Sequence, residues 1–262
     1  MIPAEVRAFA EDPSAAGPDP PPESGVRRIL DARYCLLTGS FFTSVSRLRL
    51  AAGEVEAVVA EVRSLTAGEE WPTGWWIGES ATPDDLAERL LALGLRRATD
   101  PTWEPAGTAM AAVTPPPAAS GVEARRVESY DEFAAASEVG WEAFEVPAEE
   151  REKHRARLPE RWQAERDGHA PAAFLAWVDG KPAAAGRAQL LPEGASLIGG
   201  GVLPWARGRG AYRATVRARW DEAVRHGTPA LAVGAGPMSR PILERLSFEP
   251  VSRIEILLDD PR

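Results

Sequence analysis

Residues Val202–Arg213 read V-L-P-W-A-R-G-R-G-A-Y-R. An apolar run, Ser196–Leu203, predicts a strand that enters a Gly/Arg loop, and the loop opens directly into a helix. The first turn of a helix carries four N–H groups without intrahelical partners, together with the positive end of the macrodipole. Gly208 and Gly210 let the backbone approach an anion closely, and Arg207 and Arg209 add positive charge. Strand, glycine loop and helix in this order predict a site for a phosphorylated ligand.

Two phosphate-binding patterns fail here. A Walker A loop needs Gly-Lys followed by Ser or Thr, which the chain lacks, and a G-x-G-x-x-G/A fingerprint begun at Gly208 ends on Arg213. The following strand, Ala230–Gly234, also lacks the carboxylate that would hold a ribose. A third pattern, R/Q-x-x-G-x-G/A after a strand ending V-x-P, fits with Arg207 first and Gly210 fourth. The segment resembles the acetyl-CoA loop of the GCN5-related N-acetyltransferases (GNAT). It departs at the sixth position, where Tyr212 replaces Gly or Ala. An ordinary glycine-rich turn between strand and helix is the other reading of the loop taken alone.

The flanking sequence extends the resemblance. Tyr212, Val216, Trp220, Ala223 and Val224 share one helical face, and Gly227 stops the helix. After the strand Ala230–Gly234, Ser239 is placed to cap a helix with Pro241 in its first turn. The family's ending, Asn/Ser-x-x-x-Tyr-x-x-x-Gly-Phe, is met at Ser239, Leu246 and Phe248. Leu243 stands where the family's usual tyrosine acid would be, and Ser247 replaces the glycine. The last strand is Val251–Leu258. Upstream, the patterns predict a strand at Val122–Val127 and a helix at Tyr130–Phe144. A charged helix at Pro147–Asp167, interrupted near Pro159, precedes strands at Ala172–Val178 and Pro182–Leu190 that turn at Asp179-Gly180. This order resembles the GNAT domain over residues 121–262. It implies an α/β (α+β) fold with a mixed, mostly antiparallel twisted sheet flanked by helices.

The first half is predicted to hold strands at Arg33–Leu37, Ser44–Leu50, Gly74–Ile77 and Thr108–Val113, with helices at Glu54–Ser64 and Pro83–Leu93. W-W-I-G and the following D-D-L-A-E-R-L-L-A-L-G-L resemble A-V-G-A-G and S-R-P-I-L-E-R-L-S-F. The chain therefore reads as a tandem arrangement, a truncated GNAT-like half followed by a complete one. Residues 1–114 form the degenerate half (12–25 irregular), 115–121 a triple-proline linker, and 122–262 the acetyl-CoA-binding domain. The first half's own strand–helix junction has one glycine, Gly53, and places Glu54 and Glu56 in the first helical turn, where they repel phosphate. One acyl-CoA site per chain is expected, and the first half is expected to extend the second half's sheet or cover an edge.

Composition sets the class. The 262 residues are 44% hydrophobic and 26% charged, with a net charge of −9 and one cysteine, Cys35. No run reaches the ~20 apolar residues of a membrane helix. The N-terminus lacks signal-peptide features, and a single cysteine forms no internal disulfide, so a cytoplasmic protein with no membrane partner is expected. The acidic balance speaks against nucleic acid as a partner and suits a cationic amine. The oligomeric state, monomer or homodimer, stays open. Cys35 reads as a buried thiol. The three histidines share no ligand spacing and no G-x-S-x-G elbow occurs, so no metal site and no serine-hydrolase site is expected.

The resemblance assigns the co-substrate acetyl-CoA to Val202 and Leu203 (pantetheine arm and carbonyl) and to the loop Arg207, Gly208, Arg209, Gly210, Ala211 and Tyr212. Arg213 or Arg217 could reach the nucleotide's extra phosphate, each also readable as part of a solvated helix face. Gly199–Gly201 marks either close approach of a ligand or a β-bulge. The strand lacks the glutamate base that many family members place there. Glu142 and Glu145 are candidate bases, each equally readable as a solvated helix glutamate, and Ser239 is a candidate acid toward the leaving thiolate. The expected function is transfer of an acetyl group to a primary amine of a small molecule. A protein N-terminal or lysine acetyltransferase and a non-catalytic acyl-CoA sensor are the alternatives.

Overall fold

In the computed structural model, residues 1–17, 19–39, 42–98 and 106–261 are described. The first half contains α1 (Ala4–Glu11), β1 (Arg27–Leu30), β2 (Cys35–Gly39), β3 (Phe42–Ser46), α2 (Val55–Leu65), β4 (Thr73–Ile77), α3 (Leu86–Ala92), β5 (Arg96–Arg97) and β6 (Ala106–Ala112). The second contains β7 (Glu123–Arg126), α4 (Tyr130–Ala143), α5 (Ala148–Ala156), α6 (Leu158–Arg166), β8 (Ala172–Val178), β9 (Lys181–Leu191), β10 (Gly194–Val202), α7 (Ala211–Arg225), β11 (Leu231–Ala235), α8 (Arg240–Glu244) and β12 (Glu249–Asp259). The charged helix indeed divides before Pro159, which lies in the first turn of α6, where its missing N–H costs nothing. Asp179 and Gly180 both take positive φ and make the expected tight hairpin.

All the strands join one sheet, in the order β1-β2-β3-β4-β12-β6-β11-β10-β9-β8-β7, with β5 on β12. Within each half one pair is parallel, β3 with β4 and β10 with β11. Each parallel pair is joined by a helix, α2 or α7, as a parallel connection requires. The β3-α2-β4-α3 and β10-α7-β11-α8 units are therefore topological counterparts, and the tandem reading holds.

The halves meet by exchanging strands. β6, from the first half, pairs with β11 of the second through Leu231↔Ala112 to Ala235↔Thr108. β12, at the chain's end, pairs with β4 of the first through Glu255↔Ile77 to Asp259↔Thr73. β6 and β12 also pair with each other. The expected linker thus separates the halves in sequence but leaves the sheet continuous, because ladder hydrogen bonds between β4, β12, β6 and β11 leave no unpaired edge where the halves meet. Leu257 of β12 is accordingly buried in the first half's core with Trp75, Val58 and Leu90. The linker itself packs on the second half, where Arg217 donates to the Pro116 carbonyl at 3.3 Å.

Three elements are absent from the sequence reading. α1 buries Val6, Phe9 and Ala10, and with Ile2 they cover Ala109, Ala111 and Ala232 at the seam between the halves. β1 and β5 are short edge strands, and their arginine-rich sequences hide the alternation of a strand.

Candidate active site

β10 and β11 are in register at only two positions, Ala195↔Leu231 and Ser196↔Ala232, after which β10 runs on alone to Val202. A shift between Ile198 and Gly201 in its pairing with β9 inserts a β-bulge at Gly199–Gly200, and Gly199 takes φ +61°. The bulge increases local twist and bends the strand away from its parallel neighbour. Of the two sequence readings of the glycine run, the β-bulge is the one observed, and it sits beside a cavity. Gly201 leaves no room for a side chain: a Cβ there would lie 2.5 Å from that of Ala143.

The opening leads into a cavity of about 890 Å³ whose wall includes Gly200, Val202, Ala211, Tyr212, Ser239 and Leu246. At its mouth the loop turns through Gly208 (φ +76°) and Gly210 (φ +85°), conformations that exclude most side chains. Gly210 precedes α7 without any side-chain cap. Among the described residues the N–H groups of Gly208, Gly210, Ala211, Tyr212 and Arg213 take no backbone carbonyl from outside the helix. These donors, the helix dipole, and Arg207, Arg209, Arg213 and Arg245 face the same cavity, whose wall holds no carboxylate. Arg209 is paired with Asp179 at 2.8 Å. Polyanionic phosphate fits such a mouth, despite the acidic chain.

The other predicted residues separate into those at the cavity and those away from it. Leu203 is buried against α4 and α6, and its N–H donates to Ala183 O at 2.9 Å, so Gly200–Val202 present the strand's free edge instead. Arg217 is tied to Asp221 at 2.8 Å and does not reach the cavity. Arg245, which the sequence reading left unassigned, lines the cavity. Ser239 lines the cavity, but its hydroxyl donates to Gly236 O at 3.3 Å and does not cap α8, because its backbone is already helical. Glu142 and Glu145 are exposed and line neither this cavity nor the recess beside it. Leu243 is buried core, so no hydroxyl stands at the family's acid position. At the first half's junction a Cβ on Gly53 would meet no atom within 4 Å. There Glu54 accepts from the Ala51 N–H at 2.9 Å, occupying the junction with negative charge.

Tyr212, the departure from the motif, lies with its ring against the bulge, where Cε2 would be 2.8 Å from a Cβ on Gly200. Burial raises its phenol pKa above the ordinary 10, so the hydroxyl stays protonated. Beneath it Arg219 is fully buried and donates to Thr215 O, Arg187 O and Gly199 O. It pins the bulge to α7, and burial lowers its pKa to about 10.

Past the bulge, a recess of about 200 Å³ shares Phe144 and Gly200 with the larger cavity. A further cavity of about 560 Å³, which meets the recess at Ile198, is walled by Pro13–Arg28 segments of the first half and by Gln189, Leu191 and Ser196 of the second.

The doubled βαβ units, the splayed pair and the bulge define the fold of the GCN5-related N-acetyltransferases, in tandem. A GCN5-related N-acetyltransferase from Kribbella flavida is similar over 99% of this chain and 96% of its own, at 17% identity and TM-score 0.68. A tandem GNAT protein from the clavulanic acid biosynthesis pathway is similar over 98% and 88%, at 19% identity and TM-score 0.61. A third, from Sphaerobacter thermophilus, gives 18% identity and TM-score 0.58 over 99% and 93%. No protein-family model and no curated protein matches the sequence. Among the described residues no helix is long and apolar enough to cross a membrane, and no cluster of metal-ligating side chains occurs.

Proposed function

We propose that the protein is an N-acetyltransferase that moves an acetyl group from acetyl-CoA to a primary amine of a small molecule, with one acyl-CoA site per chain in residues 122–262. The observation that carries this reading is the arginine-rich glycine cradle at the start of α7, opening onto the splayed β10–β11 pair. The residues fit the co-substrate. Backbone N–H groups of Gly208, Gly210, Ala211, Tyr212 and Arg213 with the side chains of Arg207, Arg209, Arg213 and Arg245 would hold its phosphates, and Gly200–Val202 would run beside its arm. Acetyl-CoA, when bound, supplies an activated acyl group on a good leaving thiolate.

The chain's own residues do the rest. Tyr212 holds a proton on its phenol at the cavity wall beside the bulge, taking up the acid role that Leu243 lacks, while the Ser239 hydroxyl in the same wall directs its proton to Gly236 O. With no carboxylate on either wall, the amine reaches the site already neutral or gives its proton to solvent. Glu142 and Glu145 remain candidates for that transfer only through water, as both are exposed. The first half's contribution to the wall of the adjoining cavity supports a small acceptor over a protein chain. The test is to incubate the protein with acetyl-CoA and an amine panel and follow thiol release. Tight acetyl-CoA binding without turnover on any amine would support a sensor, and turnover only on peptides a protein acetyltransferase.

A further inference from the structure

The recess beyond the bulge carries charge that acetyl transfer by itself does not use. Its wall is apolar along Ala136, Trp141, Phe144 and Val146, and into this wall come Arg161 of α6 and Arg187 of β9. Among the described residues neither guanidinium has an ion pair or a side-chain hydrogen bond. Arg187 lies over the Phe133 ring, 5.1 Å from its centroid, and so is held in place by a face that leaves its N–H donors unused. Burial and repulsion from Arg161 lower the Arg187 pKa to about 10, which leaves it charged at neutral pH. Burial and the neighbouring Arg157 lower that of Arg161.

The one carboxylate within electrostatic reach of Arg187 is Glu165, which does not line the recess and is engaged elsewhere, accepting from the Ala173 N–H at 2.9 Å. Two half-buried cations in an apolar wall, neither with an ion pair or a side-chain hydrogen bond, are costly in the empty protein. The planar fork of a guanidinium matches a carboxylate in two parallel hydrogen bonds, and two forks converging on one recess can surround it. The volume of about 200 Å³ corresponds to roughly seven waters at ~30 Å³ each, so the occupant is of amino-acid size. Because the recess opens at Gly200, an acidic group between the arginines leaves an amine a few bonds away facing the bulge.

We propose that the acceptor is a small amine that also carries a carboxylate, such as an amino acid, and that Arg161 and Arg187 hold that carboxylate. This rests on the acetyl-transfer reading above, and it reverses the cationic acceptor expected from net charge: the local field, not the total of −9, meets the substrate. Polycationic amines are excluded by the same two charges.

The test uses the full chain and needs no turnover. Calorimetric titration compares N-acetyl amino acids with the matching N-acetyl amino amides, and includes N-acetylaminomethylphosphonate as a second anion. At least one acid is expected to bind ten-fold or more tightly than its amide, and Arg187→Gln and Arg161→Gln are each expected to remove that preference. Thermal unfolding of both variants serves as the fold control, and its midpoint is expected to hold or rise, since an unpaired cation has gone. Equal binding of acids and amides, no binding across the panel, or a preference that survives both substitutions overturns the inference. A stronger phosphonate than carboxylate response overturns the carboxylate assignment. Titration with acetyl-CoA separates the two readings: acid binding without acetyl-CoA binding defeats the transferase and leaves the anion site, and the opposite result does the reverse.

Discussion

The Tyr212 ring lies against Gly200, so closely that a Cβ on Gly200 would stand 2.8 Å from its Cε2. The pair joins the start of α7 to the bulge of β10, and a residue of the glycine loop thereby becomes part of the wall of the adjoining cavity. A small residue at this position, as the loop motif has, would leave that wall open. Tyr212→Phe is expected to keep the fold and the acetyl-CoA affinity but to lower kcat about 10²-fold, the usual scale for a lost proton donor. Because burial raises the phenol's pKa above 10, the wild-type rate should not fall from phenol ionisation until pH exceeds 10. Steady-state kinetics against pH checks both, and an unchanged kcat would remove Tyr212 from the chemistry.

Arg207 and Arg245 face the same cavity from the loop and from the end of α8. Arg207→Glu with Arg245→Glu should weaken acetyl-CoA binding by about 10²-fold or more in dilute buffer, and the loss should shrink as salt rises toward ~1 M, where the Debye length falls to ~3 Å. Calorimetry at two ionic strengths decides this. Charge reversal is the sound probe here, because replacing Gly210 at φ +85° would strain the backbone as well as the site.

Leu257 is 0% exposed and lies in the first half's core, although it belongs to the last strand of the chain. Leu257→Ala should cost ~2–5 kcal/mol. Since β12 pairs with both β4 and β6, tryptophan fluorescence and far-ultraviolet circular dichroism should report one shared transition before and after the change. Two separated transitions would show that the exchange does not couple the halves.

Ser247 occupies φ +68°, the left-handed region, where the family's ending has glycine. Ser247→Gly should therefore raise stability by ~1 kcal/mol, relieving a strain of ~1–2 kcal/mol less the extra freedom glycine gains when unfolded. Urea denaturation measures it.

Glu165 is 2% exposed, and burial raises its pKa above the ordinary 4.5. A carboxyl whose folded pKa is raised favours folding when protonated. Its contribution is full below 4.5 and is lost as pH rises through the folded value. The stability of wild type relative to Glu165→Gln should accordingly fall as pH is raised from below 4.5 toward neutrality, where the variant is expected to be at least as stable. Its amide oxygen can still accept from the Ala173 N–H. Denaturation across that range checks the direction.

The strand–loop–helix at Ser196–His226 was legible because glycine, arginine and helical periodicity are local signals. The Asp179-Gly180 hairpin and the break at Pro159 were legible for the same reason. α1 left a trace in the spacing of Val6, Phe9 and Ala10, one short helical face. Arg245, Arg161 and Arg187 left none, since a solvated arginine and one aimed into a recess look alike in sequence. Glu142 and Glu145 show the same limit from the other side: they lie on the predicted helix and its exit, and point to solvent.

The sequence alone determined where each βαβ unit lies and that the chain carries two of them. It does so because turn chemistry, capping and helix polarity act over a few residues. The tertiary structure decided that β6 and β12 cross into each other's halves, that Tyr212 meets Gly200, and that two arginines from α6 and β9 share a recess. Those relations join residues far apart in the chain. Long-range strand pairing and individual tertiary contacts fix them, and neither leaves a local mark in the order of amino acids.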